Sequence, residues 1–257
     1  MKILVCVKQV ADSESVITID PSGSWIEEEG LVFRMNRFDE YAVEESLVIR
    51  DAFPGSAVTA ISAGPERAES TVRRAMEMGA DRGVRVALET RGYTSPMTVA
   101  ALIAAHAREE GYDLILCGAM AEDDMQAQVG PLVAEMLNLP SSTSVIAATV
   151  SGDASAIRVE REIEGGVREA IELSLPALVS VQPGINRPRY PSLSNVLRAK
   201  NQPVPAEEPN AAARALMPER LARLYVPERS GACEMLEGSP AEKSEKLLAI
   251  LSAKSLI

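Results

Sequence analysis

Gly118-Ala119-Met120-Ala121-Glu122-Asp123-Asp124-Met125-Gln126-Ala127-Gln128-Val129-Gly130-Pro131 gathers glycines, acids and amides into one stretch. It follows the apolar run Asp113-Leu114-Ile115-Leu116-Cys117 and leads into Leu132-Val133-Ala134-Glu135-Met136-Leu137, whose apolar residues recur at helical spacing. A strand, a glycine turn and a helix start make an anion site in α/β proteins, because the first helical N–H groups lack partners. The same pattern also serves as an ordinary turn with capping residues. The stretch contains no Lys, no Arg and no Gly-Lys-Ser/Thr signature. Backbone N–H groups and the amides of Gln126 and Gln128 would have to hold a phosphate, with cationic help from Arg37 or from another chain. That suits keeping a nucleotide intact rather than cleaving it. Glu122-Asp123-Asp124 reads as helix capping in preference to a cation site.

Elsewhere the sequence offers no catalytic set. His106 is the only histidine and falls in an alanine-rich helix, so a packing or surface role is expected, with no metal triad and no Ser-His-Asp arrangement. Cys6, Cys117 and Cys233 fit no zinc or iron–sulfur spacing, and the first two sit inside apolar runs. Glu27-Glu28-Glu29 reads as a solvated turn. The 257 residues carry 26 basic and 37 acidic side chains, a net charge of −11, which argues against nucleic acid and leaves basic-faced protein partners open. An odd cysteine count speaks against a disulfide framework, and no apolar run approaches the roughly 18 residues of a membrane span. No signal peptide is expected, which implies the cytoplasm, or an organelle matrix after processing.

The elements that must position the opening stretch follow a strand–helix rhythm. Apolar runs at 2–8, 57–62, 84–88 and 113–117 are expected strands of a parallel sheet. Helices are expected over 41–49 with Asp39 or Asn36 as cap, from Pro65 to about 78, over 96–110 with Ser95 as cap, and from about 129. Such alternation places ligands at the carboxyl ends of the strands. Residues 16–26 read as a small hairpin outside the sheet. From 144 onward, 145–150, 157–163 and 167–173 are separated by glycine turns and read as antiparallel strands, before 177–181 returns as a buried strand. A short helix is expected over 193–200. Residues 1–200 thus form a Rossmann-like α/β domain with a mostly parallel sheet and an antiparallel section. Residues 201–257 form an extended C-terminal arm, with a short helix over 218–224 and an amphipathic helix over 242–257 that wants a surface to cover.

Four stretches read together resemble the β subunit of electron transfer flavoproteins: Lys2-Ile3-Leu4-Val5-Cys6-Val7-Lys8, Asn36-Arg37-Phe38-Asp39-Glu40-Tyr41-Ala42-Val43-Glu44-Glu45, Ala75-Met76-Glu77-Met78-Gly79-Ala80-Asp81-Arg82-Gly83, and the opening stretch. A fifth, 186–200, is similar to the family's partner-docking loop. The resemblance implies a heterodimer with an α subunit, onto which the C-terminal arm extends. It implies FAD held chiefly by the α subunit, and a second adenine nucleotide, AMP or FAD, held by the β subunit. Its nucleotide contacts would fall at Cys6, Asn36, Arg37, Phe38 and Asp39, at Ala63 and Gly64, and at Ala121 through Leu132, with Thr94 a candidate for touching a flavin ring. In the docking loop, Tyr190 and Leu193 would meet a dehydrogenase partner. Ala127-Gln128-Val129-Gly130-Pro131 and Asp39-Glu40 look more like the branch that carries a second FAD, oxidises NADH and splits its electron pair. Two positions depart from the family pattern: Arg37 stands where proline is usual, and Glu122 where an aliphatic residue is usual.

The implied function is electron carriage between dehydrogenases and acceptors, with no acid–base residue of the chain's own. The alternative from a different class is a stand-alone ATP-binding sensor of the universal-stress type, a homodimer with no use for the arm.

Overall fold

The computed structural model describes residues 1–88, 92–209, 219–228, 231, 233 and 235–257. They form two compact units, Met1–Leu224 and Tyr225–Ile257.

In the larger unit, apolar alternation builds one sheet with helices on both faces. Strands β1 (Lys2–Cys6), β4 (Ala57–Gly64), β5 (Arg82–Ala87), β6 (Leu114–Gly118), β10 (Ala177–Val181) and the two-residue β11 (Ala206–Glu207) lie parallel. β7 (Ser141–Val150) pairs parallel with β10 and antiparallel with β8 (Ala156–Ile163), which pairs antiparallel with β9 (Val167–Ser174). The order across the nine strands is β11-β5-β4-β1-β6-β10-β7-β8-β9. Ile3, Val5, Leu114, Leu116 and Val179 point to one face, against Ala42, Val43 and Leu47 of α1 (Arg37–Ala52) and Val72 and Met76 of α2 (Glu69–Met78). Their neighbours Leu4, Cys6, Ile115, Cys117 and Leu178 point to the other, against Leu102 and Ile103 of α3 (Pro96–Glu110) and Val133 of α4 (Val129–Leu137). Each fully buried Leu or Ile here contributes about 1.5–3 kcal/mol. The register of every central strand is therefore fixed from two sides.

The hairpin expected over 16–26 is reduced to a single antiparallel bridge, Ile19 with Ile26. Asp20 closes its tip: its carboxylate accepts from the N–H of Ser22 at 2.8 Å and of Trp25 at 2.7 Å, while its own N–H donates to Trp25 O at 2.8 Å. The ladder forms instead at the base of the excursion, where β2 (Gln9–Ala11) pairs with β3 (Phe33–Met35). A single 3-10 turn, Glu66–Ala68, separates Pro65 from α2. The expected helix over 218–224 does not form in its described part: residues 219–224 carry no regular structure, and Pro218 lies outside the described residues. So short a segment gains too little from its own turns to nucleate, and it is tied to external anchors described below.

α5 (Leu193–Asn201) forms as expected, with Ser192 accepting from the Asn195 N–H at 3.2 Å. In the smaller unit, α6 (Pro240–Ala253) starts in a capping box: Glu242 Oε2 accepts from Ser239 N–H at 2.7 Å, and Ser239 Oγ from Glu242 N–H. Its Leu247 and Leu248 are about half exposed. Among the described residues, no helix is long and apolar enough to cross a membrane.

Candidate functional site

From β1 the chain winds outward through β4 to β5, then returns so that β6 lies on the other side of β1. The carboxyl ends of β1 and β6 therefore flank the point where the winding reverses, which opens a crevice in such sheets. Two helix N-termini reach that point because two residues have no side chain. A Cβ on Gly118 would collide with Asp39 Oδ1 and stand 2.6 Å from Phe38 Cβ, so α1 can seat on the end of β6 only there. A Cβ on Gly130 would stand 2.8 Å from Cys117 Sγ, so the first turn of α4 lies directly on the same strand.

Hydrogen bonds fix this approach. Asp39, 5% exposed, accepts from the Lys8 N–H at 2.7 Å on one oxygen and from the Gly118 N–H at 3.0 Å on the other, tying the ends of β1 and β6 together. Burial pushes its carboxyl up to about 7 in spite of those donors. Asn36, also buried, occupies the cap position of α1 without capping it. Its amide instead donates to Met120 O at 2.9 Å and accepts from Glu122 N–H at 3.1 Å, which pins the start of the loop.

The acids of the loop do not cap α4, contrary to expectation. They lie too early in the chain and meet cations from other elements. Lys8 Nζ sits 2.7 Å from Asp123 and 2.8 Å from Asp124. Burial opposes the charge on Lys8, but the two carboxylates outweigh it and raise its pKa. Glu122 pairs with Arg34 at 3.1 Å and lies 4.0 Å from the largely exposed guanidinium of Arg37. The two departures from the family pattern, Arg37 and Glu122, thus face each other. The cap position of α4 falls to Gln128, which makes no side-chain cap bond. Among the described residues no partner takes the N–H of Val129 or Gly130, and Pro131 has none to offer. Met125 and Ala127, ahead of them, hold left-handed φ angles of 51° and 54°, at roughly 1 kcal/mol or more each.

Lys8 and Arg34 were not among the expected site residues. The sequence did carry a signal for Lys8, the charge that stops the first apolar run. No local pattern pairs it with acids more than a hundred residues away.

The other expected positions are distributed around this crevice. Cys6 ends β1 and Cys117 is the last residue but one of β6, both packed against the α3 and α4 side, and burial, then the nearby Asp39, pushes Cys6 up to about 12. Ala63 and Gly64 end β4, one strand over. Thr94 lies in the 92–95 segment ahead of α3, beside Tyr93, whose hydroxyl donates to Glu219. Tyr190 and Leu193 lie apart from the crevice and are 94% and 75% exposed. His106 takes the expected packing role: Nδ1 lies 2.8 Å from Glu207 and Nε2 3.0 Å from the Tyr112 hydroxyl. A cavity of about 50 Å³ beside it, lined by Val86, Leu102 and Glu207, belongs to the β5–β11 edge and not to the crevice. Among the described residues, no cluster of His, Cys, Asp and Glu could hold a metal ion.

Fold and site together define an α/β chain with a Rossmann-like, mostly parallel sheet and a helix N-terminus at the winding reversal. Residues 24–212 match the family description "Electron transfer flavoprotein domain". The chain is 32% identical to electron transfer flavoprotein subunit beta of Bacillus subtilis over the full length of both, and 31% identical to that of Methylophilus methylotrophus over 98% of each. It is 36% identical to the Homo sapiens subunit beta over 81% of this chain and 82% of that one. The chain belongs to the electron transfer flavoprotein β-subunit family, and its role is in flavoprotein electron transfer. These matches do not favour the universal-stress-type alternative.

Proposed function

We propose that the chain binds one adenine nucleotide in the crevice at the carboxyl ends of β1, β4 and β6, within a heterodimer with an electron transfer flavoprotein α subunit. The observation that carries this reading is the start of α4, where among the described residues no partner takes the N–H of Val129 or Gly130, and where the acids of the preceding loop draw in Lys8, Arg34 and Arg37. Those N–H groups would hold the phosphate, aided by the positive end of the helix. Lys8 is already neutralised by Asp123 and Asp124, so the loop retains its shape whether or not the anion is present. Asp39 and Asn36 hold the backbone in place and need not touch the ligand. In this reading the nucleotide is kept and not turned over. FAD, held chiefly by the α subunit, supplies the electron-transfer chemistry when bound. Tyr190 and Leu193, in the 186–200 segment, would meet the dehydrogenase. The cytoplasm is the proposed compartment.

The resemblance of Ala127-Gln128-Val129-Gly130-Pro131 to the electron-splitting branch supports FAD as the nucleotide in the crevice, in which case NADH is the donor. The test is to purify the chain with its α subunit, denature the complex and count what is released. One FAD and one AMP per heterodimer supports the crevice site and the single-electron branch, and two FAD supports the NADH-oxidising one. A complex that releases one FAD and no other adenine compound refutes the crevice site.

A further inference from the structure

Residues 219–224, the last of the larger unit, run without regular structure between two anchors on the carboxyl side of the sheet. One anchor follows β5: Glu219 Oε2 accepts from the Tyr93 hydroxyl at 3.0 Å and from the Ser95 hydroxyl at 2.9 Å. The other belongs to the excursion after β1: the Leu224 N–H donates to Gly23 O at 2.8 Å. In the sheet, β4 lies between β5 and β1. Two strand spacings are about 10 Å, and six residues reach up to about 20 Å. The segment is therefore long enough to span two strand spacings, the distance across the end of β4, where Ala63 and Gly64 lie. The excursion is itself docked on the same side. Arg67, just after β4, pairs with Glu28 at 2.8 Å, stacks its guanidinium 4.2 Å over the Phe33 ring and receives the Gln9 amide at 2.8 Å on its carbonyl.

We propose that residues 219–224 form a strap across the nucleotide crevice, and that Glu219 is the positioning residue that holds it shut; this rests on the nucleotide reading above. Three features support it. Tyr93 ties the strap to the turn ahead of α3, since its hydroxyl donates to Glu219 at 3.0 Å. Ser95 is the cap of α3, so the carboxylate of Glu219 sits where that helix's positive end favours an anion. Finally, Glu219 and Arg220 are exposed, as befits a segment that opens locally without unfolding the core. The strap governs how fast the nucleotide leaves, while the α4 N-terminus governs whether it binds.

The test uses the holo-heterodimer and follows exchange of its bound nucleotide against radiolabelled AMP, or radiolabelled FAD where that is the nucleotide carried. Glu219→Ala and Tyr93→Phe are expected to speed exchange about tenfold, the effect of losing one or two hydrogen bonds to a charged acceptor. Glu219→Gln keeps a carbonyl acceptor and should stay within about threefold of wild type. Thermal midpoints should not move, because these side chains lie outside the core. Unchanged exchange in Glu219→Ala and Tyr93→Phe would overturn the proposal. Trypsin gives a readout independent of any nucleotide: cleavage after Arg220 and Arg223 should be several times faster in Glu219→Ala, and equal rates would refute the strap itself. A wild-type complex without a crevice nucleotide would remove the nucleotide reading while leaving the tryptic comparison to decide on the strap.

Discussion

The crevice between β1 and β6 and the segment leading into α5 are built from similar polar residues put to opposite use. In the crevice, acids and cations pair with each other, Lys8 with Asp123 and Asp124, Arg34 with Glu122, and the N–H groups of Val129 and Gly130 are left without a partner among the described residues. Ahead of α5 the polar groups turn inward. Arg189 grips the buried Glu44 with Nε at 2.9 Å and Nη2 at 3.0 Å, and Asn186 donates to Tyr41 O and to Glu45. The large apolar side chains left facing outward there are Tyr190, Leu193 and Leu197. Open N–H groups recognise an anion, whereas apolar side chains on a fixed base recognise protein. The lesson is that the interior pairing selects what each surface has left to offer.

That contrast can be broken from either side, and stability ranks the attempts. Gly118→Ala should do most, costing roughly 2–3 kcal/mol, because the new methyl collides with the α1 start rather than with a flexible tip. Urea unfolding and the nucleotide count would both register it, and a fully stable variant with its nucleotide intact would contradict the packing argument.

Asp39→Asn comes next and carries a pH signature. The folded-state pKa of Asp39 is raised to about 7 from an ordinary 3.8, so the native state binds this proton more tightly. Its contribution is therefore complete below about pH 4 and is lost as pH rises towards 7. Wild type should exceed Asp39→Asn in urea midpoint at pH 5, with the gap narrowing by pH 8. A gap that widens with pH would reverse the sign and count against the burial account.

Arg189→Ala should cost about 1–2 kcal/mol, since it leaves the Glu44 carboxylate buried without its guanidinium, discounted for the partial exposure of Arg189 itself. Leu193→Ala is the mildest for stability, within about 0.5 kcal/mol for so exposed a side chain. Yet it should slow flavin reduction by the partner dehydrogenase, measured as a rate against dehydrogenase concentration. An unaltered rate would leave the exposed face of α5 without the proposed role.

The parallel sheet was legible because buried strands write themselves as short apolar runs, and the helices because glycine and proline mark their ends. Less was legible where a side chain answers to something distant. Glu122, Asp123 and Asp124 look like caps locally, and only the fold brings Lys8 and Arg34 to them. Asp20 looks like one turn residue of a hairpin, yet its two oxygens take the N–H groups of both Ser22 and Trp25. Residues 219–224 have a helix-compatible composition, but Tyr93, Ser95 and Gly23 supply stronger partners than the segment's own turns. In the crevice the sequence pointed to the glycines and the helix start. It could not show that Asp39, placed in the same motif, has both carboxylate oxygens occupied by backbone.

The two ends of the nine-stranded sheet bear on how the chain behaves among copies of itself. A strand with one unpaired side is a template on which further strands can add. At one end that strand is β9, whose Arg168, Glu169 and Glu172 break up its apolar positions, with Arg161 of β8 held against Glu169 at 2.6 Å. At the other end is β11, only two residues long. Charge protects one margin and brevity the other, so growth into aggregates finds a poor starting point at both.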